Sequence, residues 1–405
     1  MTDTSRRRFL QGAAGGGAAV AAGAFGVTRL TEAEDAQANE GLLSWKGPRQ
    51  AGIVTERTPY GMIAAFDVVT DDLALLMRDL TARVAELTQG WPDRMDDLTN
   101  EALPPSDTGE LGYDRRKDGR LSITIGFGAA LFDDRFGLAG QKPPALKTMP
   151  SFPVDNLDPK RTHGDIVILI QSDHMMVTHH AMRDIMRRTK GRLEGRWAQG
   201  CFQRIDPEKE GRPKIAAHRG LLGFPDGSQN ISPTTDDELI WTGREVPDWA
   251  RGGTYLAARL IRLKIERWDR LSMEAQDDSI GRRKLSGSPL EGGREQTDPK
   301  LGRETPRDAH IRLANPRTPG SEKRRFLRRG FVYNDGFDDY GLLDSGSVFL
   351  AFCRDVQEQF EATKRNMIGQ DLDEYAVAIG GGYFYVPPGV RGGDDYLARR
   401  LVKNG

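Results

Sequence analysis

The stretch "GDIVILIQSDHMMVTHHAMRDIMRRTKGRLEGRWAQGCF", Gly164–Phe202, reads as strand, helix, strand. "GDIVILIQS" is a short apolar run, too brief for a helix and rich in β-branched residues. "HMMVTHHAMRDIMRRT" follows as a helix, and "GRLEGRWAQGCF" is strand-like again. Upstream, "LSITIGFG" (Leu121–Gly128) is a strand, and "MIAAFDVV" (Met62–Val69) is another. Between those two lies a helix over "DDLALLMRDLTARVAELTQG". In it Leu73, Leu76, Met77, Leu80, Val84 and Leu87 share a face, and Gly90 stops it. The order is β-α-β-β-α-β, the ferredoxin-like pattern.

The second half repeats that order. "TYLAARLIRLKIERWDRL" (Thr254–Leu271) reads as one long strand, with Ile261, Leu263 and Ile265 alternating with Arg262, Lys264 and Glu266, so one face is expected to be buried and the other wet. A short helix lies near Met273–Ile280, followed by a long polar, Gly- and Pro-rich insertion over 281–309. Insertions of that length are functional or disordered. Then come "FVYN", "SVFLAFCR", the helix "DVQEQFEATKRNMIG" and the strand "GYFYVPPG". The expected fold is α+β: tandem ferredoxin-like domains of the dimeric α+β barrel type, with antiparallel sheets and helices outside. The N-terminal domain is expected over 45–220 and the C-terminal one, holding the insertion, over 221–402.

The chain is 405 residues long, with 58 Lys+Arg against 59 Asp+Glu and a net charge of −1. That balance gives no sign of nucleic acid as a partner. The start of the chain has its own logic. "SRRRFLQ" sets Arg6 and Arg7 in twin-arginine spacing, a weakly apolar uncharged run spans Gly12–Thr28, and Ala36-Gln37-Ala38 is a small-x-small cleavage site. Residues 1–38 are therefore expected to be a twin-arginine signal peptide, exporting the folded protein to the periplasm or beyond. This route is often used when a cofactor is inserted before export. The two cysteines, Cys201 and Cys353, sit in apolar strand-like runs and make no CxxC or CxxCH. Buried free thiols are expected, and an iron–sulfur cluster or covalently attached haem is not.

None of the six histidines pairs with another at metal-binding spacing. His310, in "RDAHIRLANPR", differs in context, since it closes the long insertion. Eighteen residues on comes Arg328, in "RRFLRRGFVYNDG", which places two double arginines against an apolar strand. The turn "GFPDGSQN" (Gly223–Asn230) carries Asp226 between Pro225 and Gly227, which is ordinary turn chemistry on its own.

Together these motifs resemble the dye-decolourising peroxidase family. Its GxxDG signature appears as Gly223–Gly227, its proximal-ligand motif as "HIRLANPR" and its distal-arginine motif as "LRRG". Further stretches resemble the exported, iron-uptake (deferrochelatase-type) branch: "QAGIVT" (Gln50–Thr55), "LFDDRFGLA" (Leu131–Ala139), "THHAMRDI" (Thr178–Ile185), "IERWDRL" (Ile265–Leu271) and "IGGGYFYVPPGV" (Ile379–Val390). The resemblance spans about residues 45 to 400 and implies one non-covalent haem b per chain.

It implies His310 as proximal iron ligand, Asp226 as distal carboxylate and Arg328 as distal arginine, with Arg329 as the alternative. It also implies Gly223 and Gly227 as cofactor-binding turn residues and Arg317 at a haem propionate. Asp355, in "AFCRD", is either the acceptor of the His310 ring N–H or a helix N-cap. A second-shell carboxylate makes the imidazole more basic. A distal carboxylate can shuttle the peroxide proton, and an arginine stabilises the charge that develops as O–O breaks. The arginine also favours the ionised aspartate, giving an expected acidic activity optimum. The implied reaction reduces hydrogen peroxide through a ferryl intermediate and oxidises dyes, phenols or other reductants. Electrons from bulky reductants would cross Trp268, Tyr333 or Tyr383 at the surface. The alternative function is haem or ferrous-iron handling for a permease and its periplasmic partner. A homodimer stays open.

Overall fold

The computed structural model describes residues 42–89, 108–111, 119–205 and 219–402. The expected signal peptide lies outside them. The first half runs β1 (Tyr60–Val68), α1 (Leu73–Thr88), β2 (Ser122–Gly128), β3 (Ile166–Ser172), α2 (Met175–Arg188) and β4 (Leu193–Phe202). Its antiparallel strands lie in the order β2-β3-β1-β4. The second half runs β5 (Thr254–Leu263), α3 (Met273–Ile280), α4 (His310–Ala314), the two-residue β6 (Leu327–Arg328), β7 (Phe331–Phe337) and β8 (Leu343–Cys353). A π-helical turn (Val356–Glu361) then continues into α5 (Ala362–Asn366), and β9 (Ala376–Val386) completes the half. The four long strands here order β7-β8-β5-β9, the same arrangement as in the first half. The fold is α+β, two ferredoxin-like halves.

The two sheets join at both edges. Phe127 and Gly128 pair with Tyr385 and Phe384, and Phe202 pairs with Val332. The strands therefore close into a ring, which removes free long edges. Alternation along each strand divides the core. Ile166, Ile168 and Ile170 of β3 pack in one cluster with Leu76, Leu80 and Ile185 of α1 and α2. Val167 and Leu169 belong to a second cluster with Ile63, Leu256, Leu260, Leu350 and Phe384, drawn from both sheets. Burial on both faces is why β3 reads as an unbroken apolar run.

The same burial corrects the expected long strand. β5 ends at Leu263, where the Lys264 N–H donates to the Tyr375 carbonyl at 2.8 Å and the chain turns into a short helix, Ile265–Trp268. Nor does β5 have a dry and a wet face. Thr254–Leu260 are buried throughout, and Ile261 and Arg262 are both half-buried, because β5 lies between β8 and β9 with both its faces packed.

Beside one of the two joins a single side chain bridges the chain on either side. Gln50, 7 % exposed, accepts from the Ile125 N–H at 2.8 Å and donates to the Ile125 carbonyl at 2.9 Å and the Pro387 carbonyl at 3.1 Å. Gln50→Ala strands three buried backbone groups beside the two-residue β2–β9 join. The expected cost is about 2–4 kcal/mol, read as a lower urea midpoint at unchanged slope.

Candidate active site

A cavity of about 420 Å³ opens in the second half, within the range of cofactor-sized pockets (about 300–1,000 Å³). Apolar walls come from Leu263, Ile280, Phe349, Phe360 and Leu372, and cations from Arg282, Arg317 and Arg328. His310 and Asp226 both line it.

The GxxDG turn needs its glycines. Gly223 and Gly227 have φ of +88° and +92°, the left-handed region that favours glycine. A Cβ on Gly223 would also lie 2.4 Å from the Lys284 Cε. The two differ in place: Gly227 lines the cavity, whereas Gly223 shapes the turn behind it, its carbonyl accepting from Arg219 Nη1 at 2.7 Å. Asn230, at the end of the same stretch, docks the turn on β6. Its amide donates to the Arg328 carbonyl at 2.7 Å and accepts the Arg328 N–H at 2.9 Å. This brings Asp226 Oδ1 within 3.2 Å of Arg328 Nη1, with both side chains part-exposed.

Arg328 and Arg329 are separated by strand alternation. Arg328 lines the cavity. Arg329 is 7 % exposed, and burial beside Arg57 pushes its pKa down to about 9. Arg57, which lies in no recognised motif, also stands at this site. It donates to the Gly330 carbonyl and lies close enough to Asp226 and Arg328 to feel both charges.

His310 opens α4 directly after the insertion. That insertion is ordered by its own polar groups. Arg282 donates to the Gly287 and Glu295 carbonyls at 2.6 and 2.8 Å, and Thr305 Oγ1 donates to Glu291 at 2.7 Å. Arg312 Nη2 ties α4 back to the Gly302 and Thr305 carbonyls at 2.6 and 2.7 Å. Its length is thus spent on presenting His310 at the cavity wall.

The partner of the His310 ring decides between the two readings of Asp355. Nδ1 lies 2.9 Å from Gln370 Oε1. Asp355 is engaged elsewhere, its Oδ1 accepting the Gln357 and Glu358 N–H groups at 2.8 and 2.9 Å as the N-cap of the helical turn. Gln370 is 60 residues from His310 and carries no motif. Arg317 does line the cavity, in the left-handed region at φ +54°, with its Nη2 2.9 Å from Asp298 and its Nη1 donating to the Asn315 carbonyl at 2.6 Å. Trp268, Tyr333 and Tyr383 are 0, 0 and 3 % exposed, so none is a surface residue; each packs into the core.

Burial is the main force lowering the His310 pKa below 6.5. Arg328 and Lys364 push the same way, and the Gln370 hydrogen bond and Asp226 oppose them. The folded chain thus refuses a proton that the unfolded chain accepts, so stability of the cofactor-free protein declines as pH falls below 6.5. The lowered pKa favours the neutral imidazole within the fold, the form that binds metal. The urea midpoint of the cofactor-free protein is therefore expected to fall as the pH drops below 6.5. An unchanged pH dependence in His310→Gln would contradict it.

The chain belongs to the Dyp-type peroxidase family, a haem-dependent class. Residues 50–203 match its N-terminal description and 217–391 its C-terminal one. The chain is 37 % identical over 428 residues to a deferrochelatase of Shigella sonnei, covering 100 % of this chain and 98 % of the relative. It is 38 % identical over 370 residues to one from Yersinia pseudotuberculosis, covering 88 % and 84 %. Among solved structures it is similar to DtpA from Streptomyces lividans, described as an oxyferrous/water mixed complex (31 % identity, TM-score 0.79, covering 90 % of this chain and 99 % of that one). It is also similar to a DyP-type peroxidase from Streptomyces coelicolor (32 %, TM-score 0.79, the same coverage).

Proposed function

We propose that this haem-dependent peroxidase holds one non-covalent haem b through His310 and handles hydrogen peroxide with Asp226 and Arg328. The observation that carries this is one cavity lined by a histidine and by a carboxylate–guanidinium pair 3.2 Å apart. The donor set suits haem: one imidazole for the iron, apolar walls for the ring, and Arg282 and Arg317 for its carboxylates. Haem, when bound, supplies the redox chemistry.

Asp226 accepts the proton from one peroxide oxygen and returns it to the oxygen that leaves as water. Arg328 holds the Asp226 carboxylate in place and stabilises the negative charge developing on the leaving oxygen. Asn230 fixes both by clamping the turn to β6. The arrangement works while Asp226 is ionised, so dye oxidation should persist below neutral pH and fall only as Asp226 takes up a proton. A pH–rate profile confined to alkaline pH would contradict it. The division into halves at 45–220 and 221–402 is supported by the repeated strand order.

A second reading is favoured by the relatives named deferrochelatase. In it the same site removes iron from haem for an iron permease and its periplasmic partner. Export of the folded chain through its twin-arginine segment, to the periplasm or outside, fits both readings. Among the described residues, no helix is long and apolar enough to cross a membrane. Incubating haem-loaded protein with a ferrous chelator, with and without peroxide and a dye, separates the readings. Dye turnover with intact haem supports the peroxidase; metal-free porphyrin accumulating without dye turnover supports iron release.

A further inference from the structure

We infer that Gln370 and Asp373 form a two-step relay that fixes the tautomer of His310 and keeps a neutral amide, rather than a carboxylate, against its ring. The relay acts on iron only if His310 is the haem ligand, so that part rests on the function proposed above.

The hydrogen bonds decide the orientation of each group. Gln370 Nε2 donates to Asp373 Oδ1 at 2.9 Å. Asp373 also accepts the Gly369 N–H on Oδ2 at 3.0 Å, and Lys364 Nζ lies 3.8 Å from Oδ1. A carboxylate among such donors offers only acceptors. The NH₂ of Gln370 must therefore face Asp373 and its oxygen must face His310; the flipped amide would set oxygen against oxygen. Nδ1, 2.9 Å from that oxygen, must then carry the ring proton. Nε2 keeps its lone pair, the tautomer a metal requires.

The relay is rigidly seated. Gln370 is 6 % exposed, its N–H donates to the Met367 carbonyl at 3.1 Å, and the Asp373 N–H donates to the Gln370 carbonyl at 3.1 Å. The Asp371 N–H donates to the Asp308 carbonyl at 3.3 Å, fastening the turn to the segment that leads into His310. Sequence separation hid this: the relay sits in the short turn between α5 and β9.

The consequence is electronic. A carboxylate bonded directly to Nδ1–H draws the proton away and makes the ring a stronger donor, lowering the iron potential. An amide draws it less, with Asp373 polarising that amide from one step back. The ferric/ferrous potential therefore sits above that of a directly carboxylate-bonded histidine, and the ferrous state is more accessible.

Measurements on the cofactor-free and on the haem-loaded protein test this. In cofactor-free protein labelled with ¹⁵N-histidine, NMR should find His310 protonated at Nδ1. Asp373→Asn, whose side chain can donate or accept, should mix the tautomers, and Gln370→Leu should release the preference. In haem-loaded protein, Gln370→Glu should lower the midpoint potential and raise the iron–histidine stretching frequency. Gln370→Leu should weaken haem binding about 10–100-fold. If Gln370→Leu fails to fold, Asp373→Asn and Gln370→Glu still decide. An Nε2–H tautomer in the wild type overturns the relay. So does a potential in Gln370→Glu equal to wild type. If His310→Ala keeps haem with an unchanged iron–histidine band, His310 is not the ligand, yet the Nδ1–H result would still stand for the relay.

Discussion

His310→Ala is expected to lose haem almost completely, with affinity down more than about 100-fold. Merely disturbing a partner behind a metal ligand costs about 10–100-fold, and this variant removes the ligand itself. Among the described residues lining the cavity, His310 is the only histidine. The cavity wall should survive the change, because α4 is held by Arg312 and the insertion rather than by the imidazole. Far-ultraviolet circular dichroism should therefore match the wild type while the Soret band vanishes. Added imidazole, free to occupy the vacated ring position, should restore part of that band. Full haem retention without imidazole would remove His310 from the site.

The next largest effect falls on the carboxylate–guanidinium pair. Asp226→Ala removes the proton carrier and should lower kcat/KM for peroxide about 10²–10⁴-fold. Arg328→Leu removes a fixed positive charge and should cost about 10²–10³-fold. The two groups are 3.2 Å apart and act as a unit. The double variant should therefore lose little more than the worse single one. Multiplication of the two losses in steady-state dye oxidation would mean that they act independently. Haem content should stay near wild type in all three, since neither residue is the proposed ligand.

How much of this the sequence revealed depended on how local each determinant is. β3 and α2 declared themselves through composition over a few consecutive residues, and the repeated element order carried the fold. β5 misled because its apparent alternation near Ile261–Glu266 falls where the strand gives way to a helical turn closed by Lys264 and Tyr375. The motif-borne groups Asp226, Arg328 and His310 were legible, and their common cavity joins them. The residues that orient them were not. Gln370 reaches His310 across 60 positions, and Arg57 reaches Gly330 across 273. Asp355 shows the converse. A carboxylate opening a helix is well explained by its cap, and the cap is where its hydrogen bonds go.

The most direct test of the central claim is a single-turnover stopped-flow measurement. Wild type, Asp226→Ala and Arg328→Leu are loaded with equal haem and mixed with hydrogen peroxide, and the Soret change is followed. The account predicts a fast change in the wild type and one slowed at least about 100-fold in each variant. Equal rates in all three proteins would contradict it.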